Sequence, residues 1–103
     1  MFILNITHKV DPDILQEWKD WMHQEHIPAI MDTGLFTNFQ FSKVLFPRDE
    51  EGASFAIQLH CQELRLLQRF QAKFSNDLHA QMAQKYGTKC LSFRTVLELQ
   101  QNS

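Results

Sequence analysis

A β-α-β-β-α-β domain of the α+β class, with a four-stranded antiparallel sheet and two helices on one face, is what this sequence predicts. Three observations predict it. Four segments alternate apolar and polar residues with a period of two, as half-buried strands do. Two longer segments repeat apolar residues at three-to-four spacing, as amphipathic helices do. A short polar turn joins the second strand to the third, so those two form an antiparallel hairpin. The 103 residues make one domain, 1–103, long enough for a two-layer core.

The first strand spans about residues 2–9, with Phe2, Leu4 and Ile6 on one face and Asn5 and Thr7 on the other. Asp11-Pro12-Asp13 then opens a helix, Asp11 as N-cap and Pro12 at the first helical position. Ile14, Trp18, Trp21 and Met22 form its apolar stripe, and Pro28, which lacks an N–H, is expected to kink or end it before Thr33-Gly34. Residues 36–46 read as the second strand, Pro47 to Gly52 as a solvated turn, and 54–61 as the third strand. One long helix is expected over about 62–86, with Leu67, Phe70, Phe74, Leu78 and Met82 on one stripe and Gly87 as its stop. Leu91 to Leu99 form the last strand, followed by a short polar tail, 100–103. This order is the split βαβ, or ferredoxin-like, arrangement.

The apolar strand residues Leu4, Ile6, Phe39, Phe41, Phe55, Ile57, Leu59, Phe93 and Leu97 are expected to meet the helix stripes and form the core. The opposite face collects Ile3, Asn5, Thr7, Asn38, Gln40, Val44, Gln58, His60, Arg94 and Val96. That set is too apolar in places, and too poor in Lys and Glu, for a solvated sheet. Packing two such faces across a two-fold axis buries Ile3, Val44 and Val96, so a homodimer is expected.

A hydrophobic fraction of 44% and a charged fraction of 21% are those of a soluble globular chain, and nine phenylalanines promise an aromatic core. A net charge of −2, with dispersed Lys and Arg, argues against nucleic-acid binding. No apolar run approaches the roughly 20 residues needed to span a bilayer. The opening Met1 to Ile6 has no basic n-region, and Cys61 and Cys90 lack CxxC spacing, so reduced thiols in the cytoplasm are expected.

The stretch Trp18 to Leu35 carries the most information. Trp21, Glu25-His26-Ile27-Pro28 and Gly34-Leu35 resemble the aromatic, His-x-Pro, Gly-Leu signature of ethD-like proteins, in the dimeric α+β barrel superfamily. With Ser92-Phe93-Arg94-Thr95 added, the whole chain resembles a family of small bacterial proteins grouped only as a domain of unknown function. The resemblance implies two ferredoxin-like subunits packed sheet against sheet, with a pocket near the end of helix one. It does not select an activity, since the superfamily holds metal-free and flavin-free monooxygenases, lactone isomerases, haem-degrading enzymes and proteins of no known activity.

His26 is the candidate catalytic residue, a general acid or base near neutral pH; its alternative role is to cap the helix end by hydrogen bonding near Gly34. Trp18, Trp21, Met22, Glu25 and Arg94 are the candidate ligand-binding residues. Arg94, placed mid-strand on the polar face, reads either as an anion anchor or as the partner of Glu98 or of a carboxylate across the dimer. His23 and His26 are spaced to share a helix face, with His60 or His79 as a further ligand. Their spacing is neither H-E-x-x-H nor H-x-x-E-H, so no metal and no cofactor is expected. His60 and Cys61 are strand neighbours on opposite faces, which disfavours a Cys-His pair, and Tyr86 reads as a core cap or a donor to a bound carbonyl. The functional expectation is a small apolar metabolite bound between helix one and the sheet. The alternatives are cofactor-free oxygenation or isomerisation through His26, and a purely structural homodimer.

Overall fold

The computed structural model describes residues 1–48 and 50–102; Asp49 of the expected turn and Ser103 of the tail lie outside the described residues. Strands β1 (Phe2–Val10), β2 (Asn38–Lys43), β3 (Ala53–Cys61) and β4 (Cys90–Glu98) form one antiparallel sheet in the order β2-β3-β1-β4. The first helical rod comprises a 3-10 turn (Pro12–Ile14), α1 (Leu15–Trp21), a π turn (Met22–His26) and α2 (Ile27–Met31). Between β3 and β4 lie α3 (Leu64–Lys73) and α4 (Ser75–Tyr86). The ferredoxin-like order is as expected.

Local chemistry explains the ends. The Asp13 N–H donates to the Asp11 carboxylate at 3.0 Å, and Pro12 takes the first position, where its missing N–H costs nothing. Gly87, with φ +57, stops α4, and Gly34, with φ +73, turns the chain after α2; both conformations are open to glycine. At Gly52 any Cβ would collide with the Val10 carbonyl oxygen, so the start of β3 can lie against the end of β1 only because no side chain is there.

Two helix expectations are corrected. Of the two outcomes expected at Pro28, a kink or an end, the end is the one corrected, because a last helical turn follows Pro28 as far as Met31. The preceding turn widens, the Ile27 N–H donates to the Met22 carbonyl five residues back, and the helix continues to Met31. This loosened turn accommodates a residue that cannot donate and whose ring would crowd the carbonyl four residues before it. The second segment is not one helix over 62–86: it breaks at Phe74, whose φ of −120° is non-helical, so that α3 and α4 can each turn an apolar side to the sheet.

The strand faces need a third correction. Paired residues in a sheet point to the same side. Leu4, Ile6, His8 and Val10 of β1 are buried beneath the helices, and opposite them on β4 stand Val96, Arg94, Ser92 and Cys90. Arg94 and Val96 therefore lie on the helix side, whereas Phe93 and Leu97, expected in the core, lie on the open face with Leu91 and Leu99. The expected phase of β4 is inverted.

The core gathers around Trp18, which is 0% exposed. Its ring packs against His8 at 5.4 Å, Phe55 at 5.4 Å and Phe41 at 5.9 Å between centroids. Met22, Ile27 and Ile30 extend this contact along the rod, and Leu67, Phe70 and Met82 supply the second helical segment's share. Removing a packed indole leaves a void that a β-sheet cannot close, so Trp18→Ala is expected to destabilise the fold by about 3–5 kcal/mol. Urea unfolding checks this; a loss below about 1 kcal/mol would show that Trp18 is not the centre of the core.

Candidate functional site

A cavity lies between the sheet and the helices, lined by Ile6 and His8 of β1, His26 of the π turn, Ile30 of α2, Phe70 of α3, Ser75, Leu78, His79 and Met82 of α4, and Ser92 and Arg94 of β4. Its unfilled space is about 340 Å3 including the open mouth, but a water molecule's centre can reach only about 20 Å3 of it. The closed interior thus holds a water or two. Anything larger requires the side chains at the mouth to shift, and the two polar ones there, His79 and Arg94, are both exposed.

Each polar group arrives by local logic. His8 follows the period of β1, which turns every even residue inward, and is only 3% exposed. Its Nδ1 and the Ser92 hydroxyl share a hydrogen bond of 2.7 Å, while its Nε2 is buried with no partner among the described residues. Whichever way that bond runs, Nε2 takes the opposite role, donor or acceptor. His26, 6% exposed, is carried inward by the π turn, which shifts the rotation of every residue after it. The ring stacks on Trp21 at 4.7 Å between centroids, and its Nδ1 is buried without a partner among the described residues. Thr33 makes the helix-end bond, its hydroxyl donating to the Ile30 carbonyl at 2.7 Å, and His26 does not.

Burial holds both imidazoles neutral. The pKa of His26 falls to about 4, mainly through desolvation and then through His79. That of His8 falls to about 3, through desolvation first and then His26, His79 and Arg94. Burial likewise pushes the Cys90 thiol up to about 11 and the Tyr86 phenol up to about 12, so neither ionises near neutrality.

Of the sequence-derived candidates, His26 and Arg94 meet at this cavity and the others do not. Trp18 and Met22 are core residues. Trp21 and Glu25 line a separate surface groove with Glu17, Asp20, Gln24 and Lys85. Arg94 has no carboxylate within ion-pair distance among the described residues, so the expected pairing with Glu98 is not formed. His23 packs edge-on against Phe41, away from His26, and among the described residues no three His, Cys, Asp or Glu side chains are grouped to hold a metal ion. His60 and Gln40 share a hydrogen bond of 3.1 Å on the open face, while Cys61 is buried beneath the helices. Tyr86 is buried edge-on against Trp21 and takes no part in the cavity. His8 is a cavity residue that sequence reasoning did not single out; His79 was weighed only as a metal ligand and Ser92 only as part of the resemblance, and neither was placed at a binding cavity. The alternation of β1 already places His8 inward; nothing local announces the other two.

The fold and the site between sheet and helices define a ferredoxin-like α+β protein. The chain belongs to the family described as Domain of unknown function (DUF4286), whose profile matches residues 1–100. Among solved structures it is similar to a dimeric ferredoxin-like protein from an uncultured marine organism, with TM-score 0.77 and 9% identity over 99% of this chain and 97% of that one. It is also similar to an ethyl tert-butyl ether d (EthD) family protein from Bacillus halodurans C-125, with TM-score 0.72 and 15% identity over 97% and 100%. A proposed antibiotic biosynthesis monooxygenase from Deinococcus radiodurans aligns with TM-score 0.67 and 14% identity over 100% and 96%. No curated protein matches the chain. Among the described residues no helix is long and apolar enough to cross a membrane.

The two buried histidines make stability depend on pH. Between about pH 6.5 and 4 the unfolded chain binds protons at His8 and His26 that the folded chain does not, so stability falls as pH falls through that window. Each histidine contributes a slope of up to about 1.4 kcal/mol per pH unit. Urea unfolding of the wild type from pH 7.5 to 5 should show this loss, and His26→Phe should reduce the slope by about half. Equal stability across that range would refute the neutral, buried state.

Proposed function

We propose that this protein is a cytoplasmic homodimer whose subunits each bind a small, mostly apolar molecule in the cavity between the first helical rod and the sheet, with His26 as the proton-transfer group. The observation that carries this reading is the convergence of His8 and His26 on one cavity, each buried with a ring nitrogen free of partners among the described residues. Buried polar atoms are normally satisfied, and two exceptions at one void point to a ligand that supplies the missing bonds. A neutral imidazole there can take a proton from an activated C–H or O–H of the ligand and return it elsewhere, which is isomerisation. Cofactor-free oxygenation begins with the same deprotonation, and one of the similar folds is a proposed monooxygenase.

Dimerisation is supported by the open sheet face. Leu91, Phe93, Leu97 and Leu99 form a stripe of exposed apolar side chains along β4, Phe93 being 63% exposed, and Ile3 of β1 pairs with Leu97 beside them. An apolar stripe on an edge strand invites association. Packing against a second copy buries it, and the marine ferredoxin-like protein of the same fold is dimeric. Two cysteines, both buried and unpaired, suit a reducing compartment.

Phe93→Glu places like charges near the two-fold axis and is expected to give monomers at micromolar concentration in sedimentation, with the fold retained. A stable wild-type monomer under the same conditions would sink the dimer. For the cavity, thermal shift against quinones, lactones and phenols should find a stabilising ligand, worth ~2.7 kcal/mol at about a hundred times its dissociation constant. His26→Ala should lose that shift. A variant that unfolds more easily yet keeps the full ligand response would leave His26 a structural residue only.

A further inference from the structure

The cavity's charge pattern is one-sided. Side chains able to carry positive charge reach it from every side: His8 and Arg94 from the sheet, His26 from the π turn and His79 from α4. The remaining packed helices, α2 and α3, present Ile30 and Phe70, which do not titrate. None of the lining residues is acidic, although the whole chain carries more Asp and Glu than Lys and Arg. Arg94 stands at the mouth with no carboxylate partner among the described residues, directly across from Ile6 and two residues from the serine that holds His8.

We propose that the ligand of this cavity is a small apolar carboxylic acid, bound as its carboxylate by Arg94 with His8 and His26, its hydrocarbon part against Ile30, Phe70 and Leu78. The inference rests on the small-molecule reading above and names its substrate class. A guanidinium meets a carboxylate through two parallel N–H donors, a geometry that suits a planar anion at the mouth. A phosphate or sulfate is a poorer match, because the walls are apolar and a single guanidinium is the one permanent cation lining the cavity. An amine or other cation would meet the Arg94 guanidinium at the mouth and find no carboxylate among the lining residues to pair with. A water molecule's centre reaches only about 20 Å3 of the cavity, so the acid is small, and its ring or short chain enters only as the side chains at the mouth move aside.

Binding then carries a signature in protons. Burial keeps His8 and His26 neutral in the empty cavity, and a carboxylate beside an imidazole favours its charged form. The entering anion therefore raises the pKa of the histidine it meets, and the complex binds more protons than its separate parts as that value is approached. Linkage then requires affinity for the anion to rise as pH falls toward 6, by less than the roughly tenfold per pH unit that one full proton would give.

The test is calorimetric titration of the full-length protein with benzoate, phenylacetate and hexanoate, and with their methyl esters, in buffers of different protonation enthalpy at pH 6, 7 and 8. The acids are expected to bind and the esters to bind at least tenfold more weakly, with heats that reveal proton uptake. Arg94→Gln should cost the acids tenfold or more and leave the melting temperature of the free protein unchanged, and Arg94→Lys should restore part of the loss. The inference is overturned if esters bind as tightly as acids, if acid affinity is flat from pH 8 to 6, if Arg94→Gln has no effect, or if no acid binds. The broader reading fails separately: phenols or lactones that still stabilise the wild type keep the ligand-binding cavity while excluding the acid.

Discussion

The pairing of β4 against β1, with Arg94 opposite Ile6 and Ser92 opposite His8, is the constraint on which both faces of the molecule depend. Side chains alternate strictly along a strand, so a slip of one residue would exchange every group between cavity and open face. In the observed register the polar residues of β4 meet the buried face of β1, and its large apolar residues are turned away from the helices. Polar groups inside and leucines outside invert the usual economy of a monomer. The inversion fits the proposals that the inside takes up the carboxylate end of a small acid and that the outside is covered by a second subunit.

The first helical rod serves two masters, and the π turn that precedes Pro28 separates them. Up to its first residue, Trp18 and Met22 follow an ordinary helical stripe into the aromatic core with Phe41, Phe55 and His8. The widened turn Met22–His26 then rotates the rod, bringing His26 to the cavity and stacking it on Trp21. Widened turns of this kind are often found where a helix must present a functional side chain. The pair of rings is held on its outer side by Tyr86, edge-on to Trp21 at 5.6 Å. The orientation of His26 is therefore set by packing from α4 as well as by its own helix.

The break at Phe74 has a matching role on the other side. Ser75, buried at the start of α4, and Leu78, His79 and Met82 beyond it form the far wall of the cavity, whereas Leu67 and Phe70 of α3 fill the core beside it. A single straight helix could not both seal the core over β1 and β3 and leave a mouth beside the edge strand. The cavity is thus a consequence of two interrupted helices lying on an uninterrupted sheet.

The element order, the four strands, the Asp11-Pro12 helix start, the Gly87 stop and the central place of Trp18 were all legible in the sequence, because each depends on local periodicity or on the chemistry of one turn. The phase of β4 was not: Leu91, Phe93, Leu97 and Leu99 look like a core stripe when the strand is read alone, since hydrophobicity says that a face is covered but not by what. Only pairing with β1 decides that Arg94 and Ser92 face the helices. The break at Phe74 escaped a reading based on a continuous apolar stripe, because the stripe runs unbroken through it. The convergence of His8, His26, His79 and Arg94 joins residues far apart in the chain, and no local pattern encodes a meeting that is made by sheet register and helix rotation together.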